Sequence, residues 1–367
     1  MKDIVRRVGQ RFMVGFEGLT ASVEVKALVR EFGVGHVILF ARNVEGPGQV
    51  AELVRELQST ARDAGHETPL LIAVDQEGGR VARLREPWTV WPSPRALGRT
   101  GSEETARRMG AALAAELQAC GIRLDFAPCV DVDSNPKNPV IGDRSFGDDP
   151  ELVGRLGVAM IRGLQEGGVA ACAKHFPGHG DTDVDSHLDL PVLDHPRSRL
   201  EDVELRPFAK AIEAGVATII TSHVLFRELD EDLPASLSEP LTHGLLRRDL
   251  AFDGVVVTDD LEMKAVARRW TPAQIAVLAA KASADLLAFC RNHDGQVGAI
   301  EALIRAAESG SIPFKEQEAA EARVRRLKER YLGGYRDPDP KEAREAAGPG
   351  SHRELARDIA VASGLPA

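Results

Sequence analysis

Eight short apolar runs recur along this chain of 367 residues, and helix-period stretches separate them. That alternation restricts the possible architectures more than any other feature. The runs are Phe12–Phe16, Val37–Phe40, Leu70–Val74, Leu124–Pro128, Val169–Ala173, Ala217–Ile220, Gly254–Val257 and Asp285–Phe289. Among the intervening helical patterns are Val50–Ala64, Glu103–Gln118, Leu152–Gln165 and Val203–Ala214. Strands that are apolar on both faces belong to parallel sheets covered on both sides, and repeated β–α units supply such covers. The fold class is therefore α/β, and the prediction is a single (β/α)8 TIM-type barrel. An open doubly wound sheet is the alternative, but no GxGxxG follows an early strand. The barrel is expected over residues 1–334. Residues 335–367 form a linker-like tail, because Tyr335–Pro340 and Gly348–Gly350 are turn-rich and flank a charged helical stretch. One more amphipathic segment, Glu354–Ser363, reads as a helix on the barrel surface.

The charge balance narrows the partners. A net charge of −10 at pH 7 argues against nucleic acid or an anionic membrane as the main partner. No apolar stretch approaches the roughly 18 residues that span a bilayer. Met1–Arg7 is basic but leads into no apolar segment of the secretory kind. The four cysteines, Cys120, Cys129, Cys172 and Cys290, lack zinc or redox spacing and three of them sit in apolar surroundings, so they read as buried free thiols. A cytoplasmic, monomeric protein is the resulting expectation, with no cofactor.

In a barrel of this kind the chemistry gathers at the C-terminal ends of the strands. Polar residues fall at those ends here: Asp75 after the third run, Asp131 and Asp133 after the fourth, His223 after the sixth, Asp259 and Asp260 after the seventh. The fifth run leads into Lys174–His187, which holds one lysine, three histidines and three aspartates in fourteen residues. Random surface charge would not follow strand polarity. For Asp260 a helix-cap role competes with a functional one. Asp259 continues its strand toward the barrel mouth, where a carboxylate is costly unless it has partners or a task.

Metal binding is the first reading to weigh for the 174–187 loop. Asp181, Asp183 and Asp185 alternate as at the start of a calcium loop, but Ser186 and Val192 stand where that loop needs Gly and Glu. The HExxH helix motif is missing too, and no metal is expected. The second reading pairs Asp185 with His187. A carboxylate two residues away can orient an imidazole, which then gives and takes a proton near neutral pH. The competing view is a histidine that only ties down its loop. A nucleophile at Asp259 with a mobile acid/base nearby suits double displacement at a glycosidic carbon. Lys174, Arg83 and Arg144 have the fixed donors that bind sugar hydroxyls. Trp88 and Trp91 either stack on sugar or, beside prolines, pack a loop.

These residues resemble glycoside hydrolase family 3, in its bacterial β-N-acetylglucosaminidase branch. The matching segments are Val74–Val81, Asn138–Gly147, Lys174–His187 and Val257–Met263, and the similarity extends over about residues 8–333. The resemblance implies Asp259 as nucleophile and His187 as general acid/base with Asp185 as its partner. It likewise implies Asp75, Arg83, Arg144, Lys174 and His175 as the ring that binds sugar. The implied function is a retaining exo-β-N-acetylglucosaminidase that removes terminal GlcNAc from peptidoglycan-derived muropeptides. Its partner is then an oligosaccharide carrying β-linked GlcNAc. A β-glucosidase or glycoside phosphorylase on the same scaffold stays open, since a histidine acid/base repels phosphate less than a carboxylate does. So does a non-catalytic carbohydrate-binding protein. Two-domain relatives continue past a linker, and His352–Arg357 resembles its start. Either the barrel works alone or the chain is a piece of a longer one.

Overall fold

The computed structural model describes residues 2–364. Eight strands form its centre: β1 Phe12–Val14, β2 His36–Leu39, β3 Leu71–Val74, β4 Leu124–Asp125, β5 Cys172–Phe176, β6 Thr218–Thr221, β7 Val255–Thr258 and β8 Leu287–Phe289. All pair in parallel, in one ladder ordered β8–β1–β2–β3–β4 and another ordered β5–β6–β7. Parallel bridges Leu124↔Ala170 and Val257↔Leu286 join the ladders at both seams and close the barrel. Closure removes the exposed edges that an open sheet would leave.

The period of two along each strand divides the apolar residues between two cores. Met13, Ile38, Leu71, Ala73, Val255, Val257 and Ala288 point into the barrel. Their neighbours Phe12, Val14, Val37, Leu39, Ile72, Val74, Val256 and Phe289 face the surrounding helices. The interior is sealed at the N-terminal end by the helix Phe314–Leu332, whose Val324, Leu327, Tyr331 and Leu332 join the inner cluster. Asp285, fully buried before β8, fastens this lid. One of its oxygens accepts from Arg323 Nε and Nη2 at 3.0 and 2.9 Å, and the other from Val256 N at 2.8 Å and from Arg247 Nη2.

Two strands depart from the sequence reading. The fifth was expected over Val169–Ala173 but runs from Cys172 to Phe176, so Lys174 and His175 are strand residues rather than loop residues. Their polarity disguises them. They tolerate a buried strand because carboxylates from neighbouring strands neutralise them. The fourth ends at Asp125, three residues before the expected Pro128, which has no N–H to give a ladder. The tail carries two helices, Pro340–Ala346 and Gly350–Ser363. Ala343, Leu355, Ala356 and Ile359 join the main core. His352 Nδ1 donates to Glu116 Oε1 at 2.8 Å, and the same carboxylate takes both Thr89 N and Thr89 Oγ1. Trp88 and Trp91 are buried in this region, so both pack rather than stack on sugar.

Asp285→Ala leaves the two partly buried guanidinium groups of Arg247 and Arg323 without their fully buried carboxylate. It should lower the unfolding free energy by about 3–5 kcal/mol in a urea titration.

Candidate active site

At the C-terminal mouth of the barrel a chain of charges runs from strand to strand. After β3 the backbone turns through a short antiparallel ladder, Gln76–Gly78 against Val81–Ala82. Gly78 and Gly79 both have positive φ, of 97° and 58°, and a Cβ on Gly78 would stand 2.5 Å from Pro92 O. Only glycine fits that turn. It sets Asp75 and Glu77 over the opening. Asp75 Oδ2 accepts from Arg83 Nη2 at 3.1 Å, and Asp75 Oδ1 from Lys174 Nζ at 2.9 Å. Lys174 also reaches Glu77 Oε1 at 2.6 Å. Arg144, from the turn Gly142–Arg144, grips Glu77 with Nε and Nη2 at 2.9 and 2.7 Å. Glu77 is fully buried and Lys174 nearly so.

Burial alone would raise both carboxyls. Arg144 and Lys174 reverse this at Glu77, and Lys174 and Arg83 at Asp75, so both stay below the usual carboxylate range. Burial likewise opposes the Lys174 charge, but Asp75 and Glu77 outweigh it and raise the ammonium pKa. Each charge is tolerable in this site only because the others are present.

His175 extends the chain. Arg144 Nη2 lies 3.3 Å from its Nε2, and its Nδ1 donates to Asp131 Oδ2 at 2.7 Å. Asp131, fully buried, also accepts the amides of His175 and His179. Burial pushes the Asp131 carboxyl up, but His175 and the bonds from His179 bring it down to about 2.

The three histidines of the 174–187 segment have different situations. His179 Nδ1 donates to Thr182 Oγ1 at 2.7 Å and its Nε2 meets Ser186 Oγ at 3.1 Å. Burial and the nearby His175 lower its pKa to about 4. Saturated and buried, it is a neutral brace for the loop. His187, next to buried Ser186, has 64% of its side chain exposed. Its Nδ1 and its backbone amide both meet Asp185 Oδ1 at 2.8 Å. The carboxylate thereby fixes the tautomer and leaves Nε2 toward solvent. Burial raises the Asp185 carboxyl, while the His187 amide and imidazole bring it below its ordinary value.

Asp259 follows β7, and its amide donates to Thr221 O at 3.2 Å. Burial would raise this carboxyl too. His223, His175, the Asp260 amide and His187 act against it, holding it at about 2, so the group is ionised at neutral pH. His223 supports this corner by donating from Nε2 to Asp260 O at 2.9 Å and taking Ser236 Oγ at Nδ1 at 2.7 Å. Asp260 Oδ1 caps the turn through Glu262 N at 3.1 Å. Its carboxyl is pushed up to about 7 by burial and by Glu262. The cap is thus its structural role.

The structure therefore joins Asp75, Arg83, Lys174, Arg144 and His175 in one network, pairs Asp185 with His187, and stands Asp259 in the field of His223, His175 and His187. Glu77 was not singled out for the site, and Asp131 was noted only for its place after the fourth run. A signal for further acids existed: a ring of Arg83, Arg144, Lys174 and His175 with Asp75 as its single carboxylate leaves basic groups without partners. Cys129, Asp131 and His175 also lie close enough to hold a metal ion. Their ligand atoms are, however, already joined to one another: Cys129 Sγ and His175 Nδ1 both meet Asp131 Oδ2.

The C-terminal mouth of the barrel thus gathers a recessed carboxylate, a histidine–carboxylate pair and a ring of fixed donors. The chain belongs to glycosyl hydrolase family 3, whose N-terminal domain matches residues 4–327. Beta-hexosaminidase A of Pseudoalteromonas piscicida is 34% identical over 366 residues, covering 94% of this chain and 61% of that protein. The chain thus spans less than two thirds of that relative. A family 3 β-N-acetylglucosaminidase from Paenibacillus sp. str. FPU-7 superposes with a TM-score of 0.91 at 42% identity, covering 98% of this chain and 68% of the other. NagZ from Neisseria gonorrhoeae, in complex with N-trifluoroacetyl-D-glucosamine, superposes with a TM-score of 0.78 at 30% identity over 96% of this chain and 98% of its own. No helix among the described residues is long and apolar enough to cross a membrane.

Asp131→Ala should cost about 3–5 kcal/mol of stability at neutral pH, since it strands the buried partners of that carboxylate. A carboxyl near 2 when folded and near 3.9 when unfolded stabilises the fold above the higher value and loses that contribution as pH falls through the lower. Urea titrations between about pH 4 and 2 should therefore show a shallower loss of stability in the variant than in the parent.

Proposed function

We propose that the protein is a retaining exo-β-N-acetylglucosaminidase. It removes terminal GlcNAc from peptidoglycan-derived muropeptides through a covalent glycosyl-enzyme on Asp259. The observation that carries this reading is the contrast between the nucleophile and the acid/base. Asp259 is recessed and held ionised by nearby imidazoles, whereas His187 is exposed on a loop and oriented by Asp185.

Asp75, Arg83, Arg144, Lys174 and His175 hold the sugar. Their mutual ion pairs fix the donors before substrate arrives, which reduces the ordering needed at binding. Asp259 attacks the anomeric carbon while His187, protonated, gives its proton to the leaving oxygen. The C–O bond to the leaving group breaks as the bond to Asp259 forms. His187, now neutral, takes a proton from water, whose oxygen displaces Asp259 and restores the starting charge state. The Asp185 carboxylate stabilises the imidazolium and keeps Nε2 as the working nitrogen. The names of the relatives support the acetamido sugar, and the partner is a saccharide with a β-linked GlcNAc end.

The test follows a β-linked GlcNAc disaccharide and 4-nitrophenyl β-N-acetylglucosaminide by proton NMR, with and without phosphate. β-GlcNAc should appear first, before mutarotation, at a rate indifferent to phosphate. Release of the α-anomer would exclude double displacement, and GlcNAc 1-phosphate would make the protein a phosphorylase. Asp259→Asn should lower kcat by at least about 10³-fold. His187→Ala should lose about 10²–10⁴-fold on the disaccharide but much less on the nitrophenyl glycoside, whose leaving group departs without a proton. Because Asp259 stays ionised well below neutral, its protonation should add no acid limb to kcat/KM from neutral pH down to about pH 4.

A further inference from the structure

At the N-terminal end of the barrel, opposite the mouth, a cavity of about 350 Å³ lies between the first helix, the 65–68 turn and the sealing helix Phe314–Leu332. Its wall holds Arg6, Arg7, Arg325 and Lys328 against only Glu67 and Glu321. Glu321 is already engaged, by Arg7 Nε at 2.9 Å. Arg6 Nη2 donates to Ala64 O at 2.8 Å and has no carboxylate partner among the described residues.

Lys328 is the unusual member. It is 2% exposed, and its one hydrogen-bond partner among the described residues is the neutral Gln10 Oε1 at 3.0 Å. Gln10 is in turn held by donating from Nε2 to Gly33 O at 2.6 Å. Of the other buried cations, Arg11 donates to the backbone carbonyls of Asp285 and Ala284, and Lys174 and Arg144 meet carboxylates. Burial without such a partner lowers the Lys328 ammonium to about 7. Its field, after burial itself, also keeps His36 well below the ordinary imidazole range. The Nε2 of fully buried His36 has no partner either. A buried ammonium costs several kcal/mol unless something of opposite charge meets it, and two of its three N–H donors are left for that purpose.

We propose that this cavity binds a small phosphorylated ligand, with Lys328 as the buried anchor and Arg6 as the rim contact. A phosphate offers several acceptor oxygens and up to two negative charges, which match an ammonium beside a guanidinium. The volume admits the phosphate together with a small organic body. The site lies on the far side of the barrel core from Asp259, so its occupancy is independent of substrate binding.

Inorganic phosphate and pyrophosphate, titrated calorimetrically at constant ionic strength, test the assignment in the full chain and in Lys328→Met, Arg6→Gln and Asp259→Asn. The expected result is saturable 1:1 binding, unchanged in Asp259→Asn and weakened about ten- to hundredfold in Lys328→Met, the loss of one charge-assisted hydrogen bond. Arg6→Gln should weaken it in the same direction. Thermal melts check that Lys328→Met still folds; if it does not, the rim variant Arg6→Gln decides. Absence of saturable binding, equal binding in all variants, or binding abolished by Asp259→Asn would overturn the proposal.

Discussion

The mutual neutralisation of Asp75, Glu77, Lys174 and Arg144 at the barrel mouth is the interaction on which the site depends. None of these groups is stable in that environment alone. Together they turn the end of β5 and the turn after β3 into one rigid unit. A network satisfied only as a whole is either fully formed or strongly destabilising, so it selects one backbone arrangement. That demand also explains why β5 can include Lys174 and His175 without fraying. The rigidity has a use in the proposed chemistry, because donors that already point in fixed directions need little reordering when a sugar arrives.

The proposed reacting groups are built on the opposite plan. Asp259 stands where burial would favour its neutral form, and surrounding imidazoles keep it charged. His187 stands in solvent, tied only to Asp185 on its own loop. The brace beneath that loop is firm nevertheless: His179, Thr182, Ser186 and Asn138 form a buried cluster of hydrogen bonds. One residue of the segment is locked in place and the next is free to reach over the opening. Such a division lets a loop carry an acid/base without surrendering the fold of the mouth.

Most of the architecture was legible in the sequence because the barrel strands are apolar on both faces, and Val255–Thr258 or Leu71–Val74 could hardly be anything else. The misplaced end of β5 was illegible for the same reason: hydrophobic patterning assumes that strand residues are apolar, and Lys174 is buried by pairing instead. The Asp185–His187 pair was readable since its partners are two residues apart. Glu77 and Asp131 were not, because their partners Arg144 and His175 are distant in sequence and only the closed barrel brings them near. Lys328 was invisible as well, lying in a helix rich in charge whose buried face emerges only when it seals the barrel.

Glu116 lies between two parts of the molecule that the chain keeps far apart. It takes His352 from the tail and Thr89 from the segment that also supplies Trp91 O to the amide of Gly79. Gly79 belongs to the turn that carries Glu77. A short mechanical linkage therefore leads from the last helix to the charge network at the barrel mouth, through backbone bonds and one buried carboxylate. Whatever tugs on that helix, whether a neighbouring module or a bound partner, pulls at one end of a lever whose other end is the proposed substrate pocket.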